Sequence, residues 1–192
     1  MTLRASVAAV AAAALLSTAP VLAETVMGQS GASNPMVGGH AMMANKDIVS
    51  NAVASDDNKT LVAAVKAAGL VATLQGPGPF TVFAPTDEAF NALPAGTVDS
   101  LVKPENKAML TKILTYHVVA GKLDFAALQD QIRAGNGTAK LKTVQGETLT
   151  AQMNGPRNIA IMDAKGMVAH ISTYDVYQSN GVIEVIDRVL MP

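Results

Sequence analysis

The apolar positions of this chain follow two different periods. Up to residue 134 they recur mostly at helical spacing, and Leu61, Val65 and Leu70 share one such stripe, with Gly69 placed to end the helix. Helices are therefore predicted over 46–54 and 61–70, from Thr86, around 98–102, from Pro104 with a stripe of Met109, Leu110, Ile113 and Leu114, and over 124–134. Two strands, over 80–84 and 116–119, interrupt them.

The last third of the chain has a different pattern. Strand-like runs occupy 139–144, 147–153, 158–163, 167–176 and 182–189, separated by turn sequences such as Asn154-Gly155 and Asn180-Gly181. Such pairs supply the positive φ angles that tight turns require. Helices first and strands last indicate an α+β fold and argue against repeated βαβ units.

The first residues are typical of a secretory signal peptide. One base, Arg4, precedes an apolar run that ends before a small-residue cleavage site at Ala23. The run is shorter than the roughly 20 residues that span a bilayer. We therefore assign 1–23 as signal peptide, 24–44 as a flexible leader rich in Gly and Met, and 45–192 as the folded domain, in a secreted protein, periplasmic or extracellular, without a membrane span.

Charge and cysteine content exclude several classes of protein. The chain has 14 Lys and Arg against 15 Asp and Glu, with no basic run. Nucleic-acid binding proteins usually carry a basic stripe, so nucleic acid is not expected as a partner. There is no cysteine, which excludes disulfides, a thiolate metal site and a thiol nucleophile.

Three segments resemble the fasciclin domain family. The run FTVFAPTDEAF at 80–90 resembles its first signature block, LTYHVV at 114–119 its central Tyr-His segment, and NGVIEVIDRVLMP at 180–192 its closing signature. The resemblance covers about 45–192. It implies a compact wedge in which β-sandwich-like strands carry several helices on one side, and a role in adhesion without catalysis.

One residue departs from the family pattern. Glu184 stands where fasciclin domains often have His. Because it alternates with the apolar Ile183 and Val185, its side chain is predicted to point outward.

No motif of an enzyme is present. His40, His117 and His170 are not spaced as a helical zinc pair, and neither a Gly-x-Ser-x-Gly elbow nor a phosphate loop occurs. We expect a non-catalytic protein without a cofactor.

Two segments are candidates for binding. Tyr116 and His117 are either buried groups or, as the resemblance to animal members implies, part of a receptor contact. Asp175 and Val176 stand where some animal members carry an Asp-Ile pair linked to integrin recognition. Because 175–180 is polar and ends in the turn residue Asn180, it is predicted to be an accessible turn.

The leader offers a third, weaker candidate. His40, Met42 and Met43 combine imidazole with thioether sulfur, a set that suits copper(I). The alternative is a flexible segment whose Met content has no function.

These features predict a monomeric surface-interaction module that binds a cell-surface or matrix-type protein or polymer. Two alternatives stay open: a periplasmic carrier of a small ligand or of copper, and a self-associating structural protein of the envelope.

Overall fold

The structure, a computed structural model, describes residues 34–192. The helices are α1 (Ile48–Ala54), α2 (Lys59–Ala68), α3 (Val71–Leu74), α4 (Asp87–Asn91), α5 (Thr97–Leu101), α6 (Lys107–Tyr116) and α7 (Phe125–Ala134), with 3-10 turns at Asp56–Asn58 and Pro104–Asn106. The strands are β1 (Met36–Val37), β2 (His40–Ala41), β3 (Phe80–Pro85), β4 (Val118–Ala120), β5 (Thr138–Lys142), β6 (Thr148–Met153), β7 (Ile159–Met162), β8 (Val168–Gln178) and β9 (Gly181–Ile186).

Side chains cap several of these helices at or next to the predicted helix starts. Asp47, Thr86 and Asp124 each accept a hydrogen bond from a backbone N–H of the first turn that follows. These bonds satisfy donors that a helix N-terminus otherwise leaves unpaired. Gly69 ends α2 at a φ of 75°, a conformation that costs little only without a Cβ.

Seven strands form one mixed sheet in the order β4-β3-β9-β8-β7-β6-β5. Only β3 and β9 run parallel; the other neighbours are antiparallel. The two edges also meet, because Val119 bridges Thr143 and the N–H of Val144 donates to the carbonyl of Val118 at 2.7 Å. The sheet is therefore nearly closed into a barrel.

The apolar side chains divide into two cores. One lies between the sheet and helices α1, α2 and α6, with Leu61, Val65 and Ile113 among its buried members. The other fills the space enclosed by the sheet and α7, around Phe83 and Leu128. Within residues 34–192, no helix has both the length and the apolar character to cross a bilayer.

The α+β fold class is confirmed, with all five late strands near their predicted positions. Two local predictions are wrong. Tyr116 ends helix α6 and His117 follows as its cap, so the strand begins only at Val118. Met109 lies on the solvent side of α6 and is 53% exposed, because the face of the helix that packs on the core is centred on Leu110 and Ile113.

The segment 34–44 is folded, which differs from the flexible leader predicted over 24–44. Its β1–β2 hairpin places Val37 and Met42 in the helical core, where both are buried. The side chain of Asn34 exchanges two hydrogen bonds with the backbone of Tyr177, at 2.6 and 3.0 Å. Apolar side chains that can reach the core make the segment part of the domain. The predicted signal peptide, 1–23, lies outside the described residues.

Candidate functional site

Tyr116 and His117 lie in the interior. Tyr116 is fully buried, and its hydroxyl accepts a hydrogen bond from the N–H of Ala164 at 3.0 Å. His117 contacts the backbone at both ring nitrogens: Nδ1 lies 2.9 Å from the carbonyl of Ile113, and Nε2 lies 3.0 Å from the N–H of Leu190. The carbonyl requires a donor and the N–H requires an acceptor, so the ring is the neutral Nδ1–H tautomer.

Burial lowers the pKa of His117 to about 4, which keeps the ring neutral at physiological pH. A proton on Nε2 would face the N–H of Leu190, so protonation would break that hydrogen bond. The imidazole thus joins the end of α6 to the segment after β9. Its polar atoms have no capacity left for a partner outside the domain.

Asp175 lies in an irregular part of β8. The pairing of β8 with β9 shifts register between Thr173 and Val176, and Asp175 adopts a φ of 58°, which only a few side chains tolerate. Its Oδ1 accepts a hydrogen bond of 2.7 Å from the N–H of Phe125, the first residue of α7. The carboxylate therefore fixes the start of that helix.

The prediction of an open polar turn over 175–180 is wrong. Val176 is fully buried and belongs to β8. Asn180 is half-buried: its Oδ1 accepts from the N–H of Ile48 at 3.0 Å, and its Nδ2 donates to the carbonyls of Leu74 and Gly76. The strand continues to Gln178 because β9 pairs with it up to the turn. Asn180 thus links the turn to α1 and α3.

The outward orientation predicted for Glu184 is also wrong, since its side chain is fully buried. Strand β9 lies between β3 and β8, and both faces of this central strand are covered. Side chains on either face are therefore buried, although they alternate along the strand. Oε1 accepts from the N–H of Asp175 at 3.3 Å, whereas Oε2 has no hydrogen-bond partner among residues 34–192. Burial, assisted by the charge of Asp175, raises the pKa of Glu184 to about 9.

Above Glu184 lies a surface that we call the Tyr177 patch, formed by Lys122, Asp124, Phe125, Tyr174, Asp175 and Tyr177. The rings of Phe125 and Tyr174 meet edge to face with centroids 5.1 Å apart. Lys122 Nζ lies 4.3 Å from the centre of the Tyr177 ring. All three aromatic rings are half-buried, so each keeps part of its surface in contact with solvent.

Hydrogen bonds hold the patch in place. The hydroxyl of Tyr174 accepts from the N–H of Ile159 at 2.7 Å, and the hydroxyl of Tyr177 lies 3.5 Å from Asp124 Oδ2. Burial and the charges of Asp175 and Asp124 raise the pKa of Tyr177 to about 12, so its phenol stays neutral. Fixed aromatic rings beside charged groups are typical of protein interfaces, because they offer large contact area at little cost in side-chain entropy.

The candidate copper ligands are not brought together. Met42 is buried in the helical core, where it packs among apolar side chains. His40 points to solvent, with Nε2 3.1 Å from Asp56 Oδ2, and Met43 is 50% exposed. Within residues 34–192 no three His, Asp or Glu side chains form a group that could hold a metal ion.

Sequence reasoning missed most of the Tyr177 patch. It singled out Asp175 but neither Lys122 nor Phe125, which come from a different part of the chain. One signal was available: two of the three tyrosines, Tyr174 and Tyr177, flank Asp175 in a chain that has no tryptophan.

The chain is similar to several known proteins. Residues 56–192 match the family described as Fasciclin domain. "Protein sll1483" of Synechocystis sp. is 49% identical over 147 residues, which cover 76% of this chain and 73% of that protein. "Immunogenic protein MPB70" of Mycobacterium bovis is 34% identical over an aligned length of 197, and the alignment covers 96% of this chain and 92% of that protein.

A solved structure of a FAS1 domain pair from the insect cell adhesion molecule Fasciclin I matches with a TM-score of 0.67 at 17% identity. The match covers 77% of this chain and 51% of that one, and it shows that the two share a fold.

Proposed function

The chain belongs to the fasciclin domain family, known in cell-adhesion proteins, and on that premise we propose that it is a non-catalytic surface-interaction module that binds through the Tyr177 patch. Its partner in this proposal is a protein or polymer of a cell surface. The protein acts outside the cytoplasm, in the periplasm or the extracellular space, as the sequence of 1–23 suggests.

The observation that carries the proposal is the half-buried aromatic cluster around Tyr177. Binding energy at interfaces concentrates in a few aromatic and cationic side chains that are held in position before the partner arrives. Tyr177 meets this description, because Lys122 lies over its ring and Asn34 fixes its backbone through two hydrogen bonds.

The interior location of Tyr116 and His117 argues against a binding site at these two residues. Their polar atoms are bonded within the domain, so a partner could reach them only after the helix end moves. We therefore assign them a structural role and assign contact with the partner to the patch.

The test is attachment of the chain from residue 24, immobilised on beads, to intact cells or envelope fragments of the source organism. Lys122→Glu reverses the exposed charge of the patch, and Tyr177→Ala removes its central ring. Met109→Ala is the matched control, since Met109 is an exposed apolar side chain on α6, outside the patch.

We expect both patch variants to lose attachment while the control retains it. Thermal unfolding of each variant separates lost binding from lost folding. Attachment that is equal in the folded Lys122→Glu variant, the control and the wild type would contradict the proposal.

A further inference from the structure

A narrow cavity lies inside the helical core, away from the Tyr177 patch. Its volume is about 70 Å³, and its walls come from the β1–β2 hairpin, helices α1, α2 and α3, strand β3 and the end of α6. Because side chains from so many elements line this small volume, the cavity is narrow. Val37 and Met42 of the hairpin cover one part of it, and the half-exposed Val62 and Leu70 lie along another.

The cavity is lined almost wholly by apolar atoms, and the buried polar side chains around it are already bonded elsewhere. Asn58 accepts from the hydroxyl of Ser55 at 2.9 Å and donates to the carbonyl of Pro85 at 3.0 Å. Both ring nitrogens of His117 are bonded to the backbone. A buried water needs two to four polar partners, so this cavity is suited to an apolar guest.

Two lysines lie near the side of the cavity that faces solvent, beside Val62 and Leu70. Lys66 borders the cavity and is exposed. Lys107 Nζ reaches α2 from α6 and lies 3.5 Å from the position that a Cβ would take on Gly69, the residue before Leu70. Within residues 34–192 neither ammonium has a carboxylate within 4 Å, whereas Lys59 and Lys112 are both paired. The rim of the apolar space therefore carries free positive charge.

We propose that this cavity is a binding site for a linear hydrocarbon chain with a carboxylate head, of the fatty-acid class. The end of the chain enters the dry space, and the carboxylate meets Lys66 and Lys107 at the rim. The cavity of 70 Å³ is about half the size of an engineered apolar cavity of ~150 Å³ that binds benzene. It therefore holds only the last few carbons, and the rest of the chain lies against Val62 and Leu70.

The probe is decanoate, with decanol as a neutral ligand of the same length. Binding to the chain from residue 24 is measured by calorimetry and by the shift in its Tm. Ala52→Leu adds bulk to a half-buried position in the cavity wall, on a helix that favours Leu. Val62→Trp blocks the accessible side and serves if the first variant is poorly folded. Lys66→Ala removes the rim charge, and Lys140→Ala removes an exposed lysine outside the cavity lining as its matched control.

We expect decanoate to bind the wild type and to raise its Tm. The filling variant should weaken binding roughly tenfold or more, which corresponds to about 1.4 kcal/mol. Lys66→Ala should weaken decanoate by about two- to fivefold, as exposed ion pairs do, and leave decanol unchanged. Lys140→Ala should change neither ligand.

Three outcomes would overturn the proposal. They are no binding of decanoate by the folded wild type, equal binding by a folded filling or blocking variant, and equal affinity for decanol and decanoate with no effect of Lys66→Ala. Because the Tyr177 patch takes no part, failure here leaves the proposed adhesion function untouched.

Discussion

Two buried ionisable groups of this domain have opposite surroundings. His117 makes a hydrogen bond at each ring nitrogen and lies between α6 and the segment after β9. Glu184 leaves one carboxyl oxygen without a partner in the described chain, and it lies next to Asp175, which is in the left-handed conformation, and to the half-buried aromatic rings of the Tyr177 patch. A satisfied buried group stabilises one structure. An unsatisfied one beside backbone strain is more typical of a functional region.

The largest effect that the comparison predicts is the pH dependence at Glu184. Its pKa rises from 4.5 in the unfolded chain to about 9 in the folded one, so the folded state binds more protons between these values. The contribution of Glu184 to stability is therefore fully present below about pH 4.5 and is lost as the pH rises toward 9. Glu184→Gln, which stays neutral, should be the more stable protein at pH 9, by several kcal/mol, since each pKa unit is worth ~1.4 kcal/mol.

Urea denaturation of both proteins from pH 5 to pH 9 measures this difference. The charged neighbours of Glu184 on other elements are Asp175 and Asp124, and both oppose its ionisation. Parallel stability profiles for wild type and Glu184→Gln would show that the carboxyl is not held neutral, and the contrast with His117 would be lost.

The second prediction concerns His117→Ala. It leaves the carbonyl of Ile113 and the N–H of Leu190 without partners, and each unsatisfied buried group costs about 1–3 kcal/mol. We expect a loss of about 2–5 kcal/mol in the free energy of unfolding. His117 also makes the stability of the wild type depend on pH, in the direction opposite to Glu184. Because the pKa of the ring is lowered from 6.5 to about 4, its contribution to stability is lost as the pH drops below 6.5. A His117→Ala protein that unfolds like the wild type would contradict this role.

The third prediction concerns the hairpin that covers the helical core near His117. A chain that starts at residue 45 loses the burial of Val37 and Met42, each worth about 1.5–3 kcal/mol. Compared with a chain that starts at residue 34, we expect a loss of about 2–4 kcal/mol, less than the summed burial because ordering the hairpin costs conformational entropy. Equal midpoints of urea unfolding would show that the hairpin does not contribute to the core.

The smallest predicted effect on stability is at Asp175. Asp175→Ala removes the acceptor for the N–H of Phe125 and places Ala at a φ of 58°, at a cost of about 1–2 kcal/mol. Asp175→Asn is the matched control, because it retains an oxygen acceptor and tolerates that conformation. Thermal unfolding should rank Asp175→Asn above Asp175→Ala, and the opposite order would remove the capping role.

The fold could be predicted from the sequence because its signals are local. Turn residues delimit the five late strands, and Asp47, Thr86 and Asp124 cap helices at or next to the predicted helix starts. The burial of Glu184 could not be predicted in this way. Alternation along β9 describes one strand, whereas the cover on its two faces depends on which strands and helices pack there.

The candidate site shows the same limit. Asp175 was identified from the sequence, but its partner Phe125 is 50 residues away, and the bulge that joins them has no local signature. Tyr116 and His117 were correctly weighed as possible interior groups, since an apolar run follows them. Their hydrogen-bond partner at Leu190 is again a long-range contact, 73 residues further along the chain.

The most direct test of the central claim compares attachment of Lys122→Glu and His117→Ala to the same cells, each corrected for its folded fraction. We expect Lys122→Glu to stay folded and to lose attachment, whereas folded His117→Ala molecules should attach as the wild type does. Retained attachment of Lys122→Glu, together with its loss in a fully folded His117→Ala protein, would place the binding site at the Tyr-His segment and rule out the Tyr177 patch.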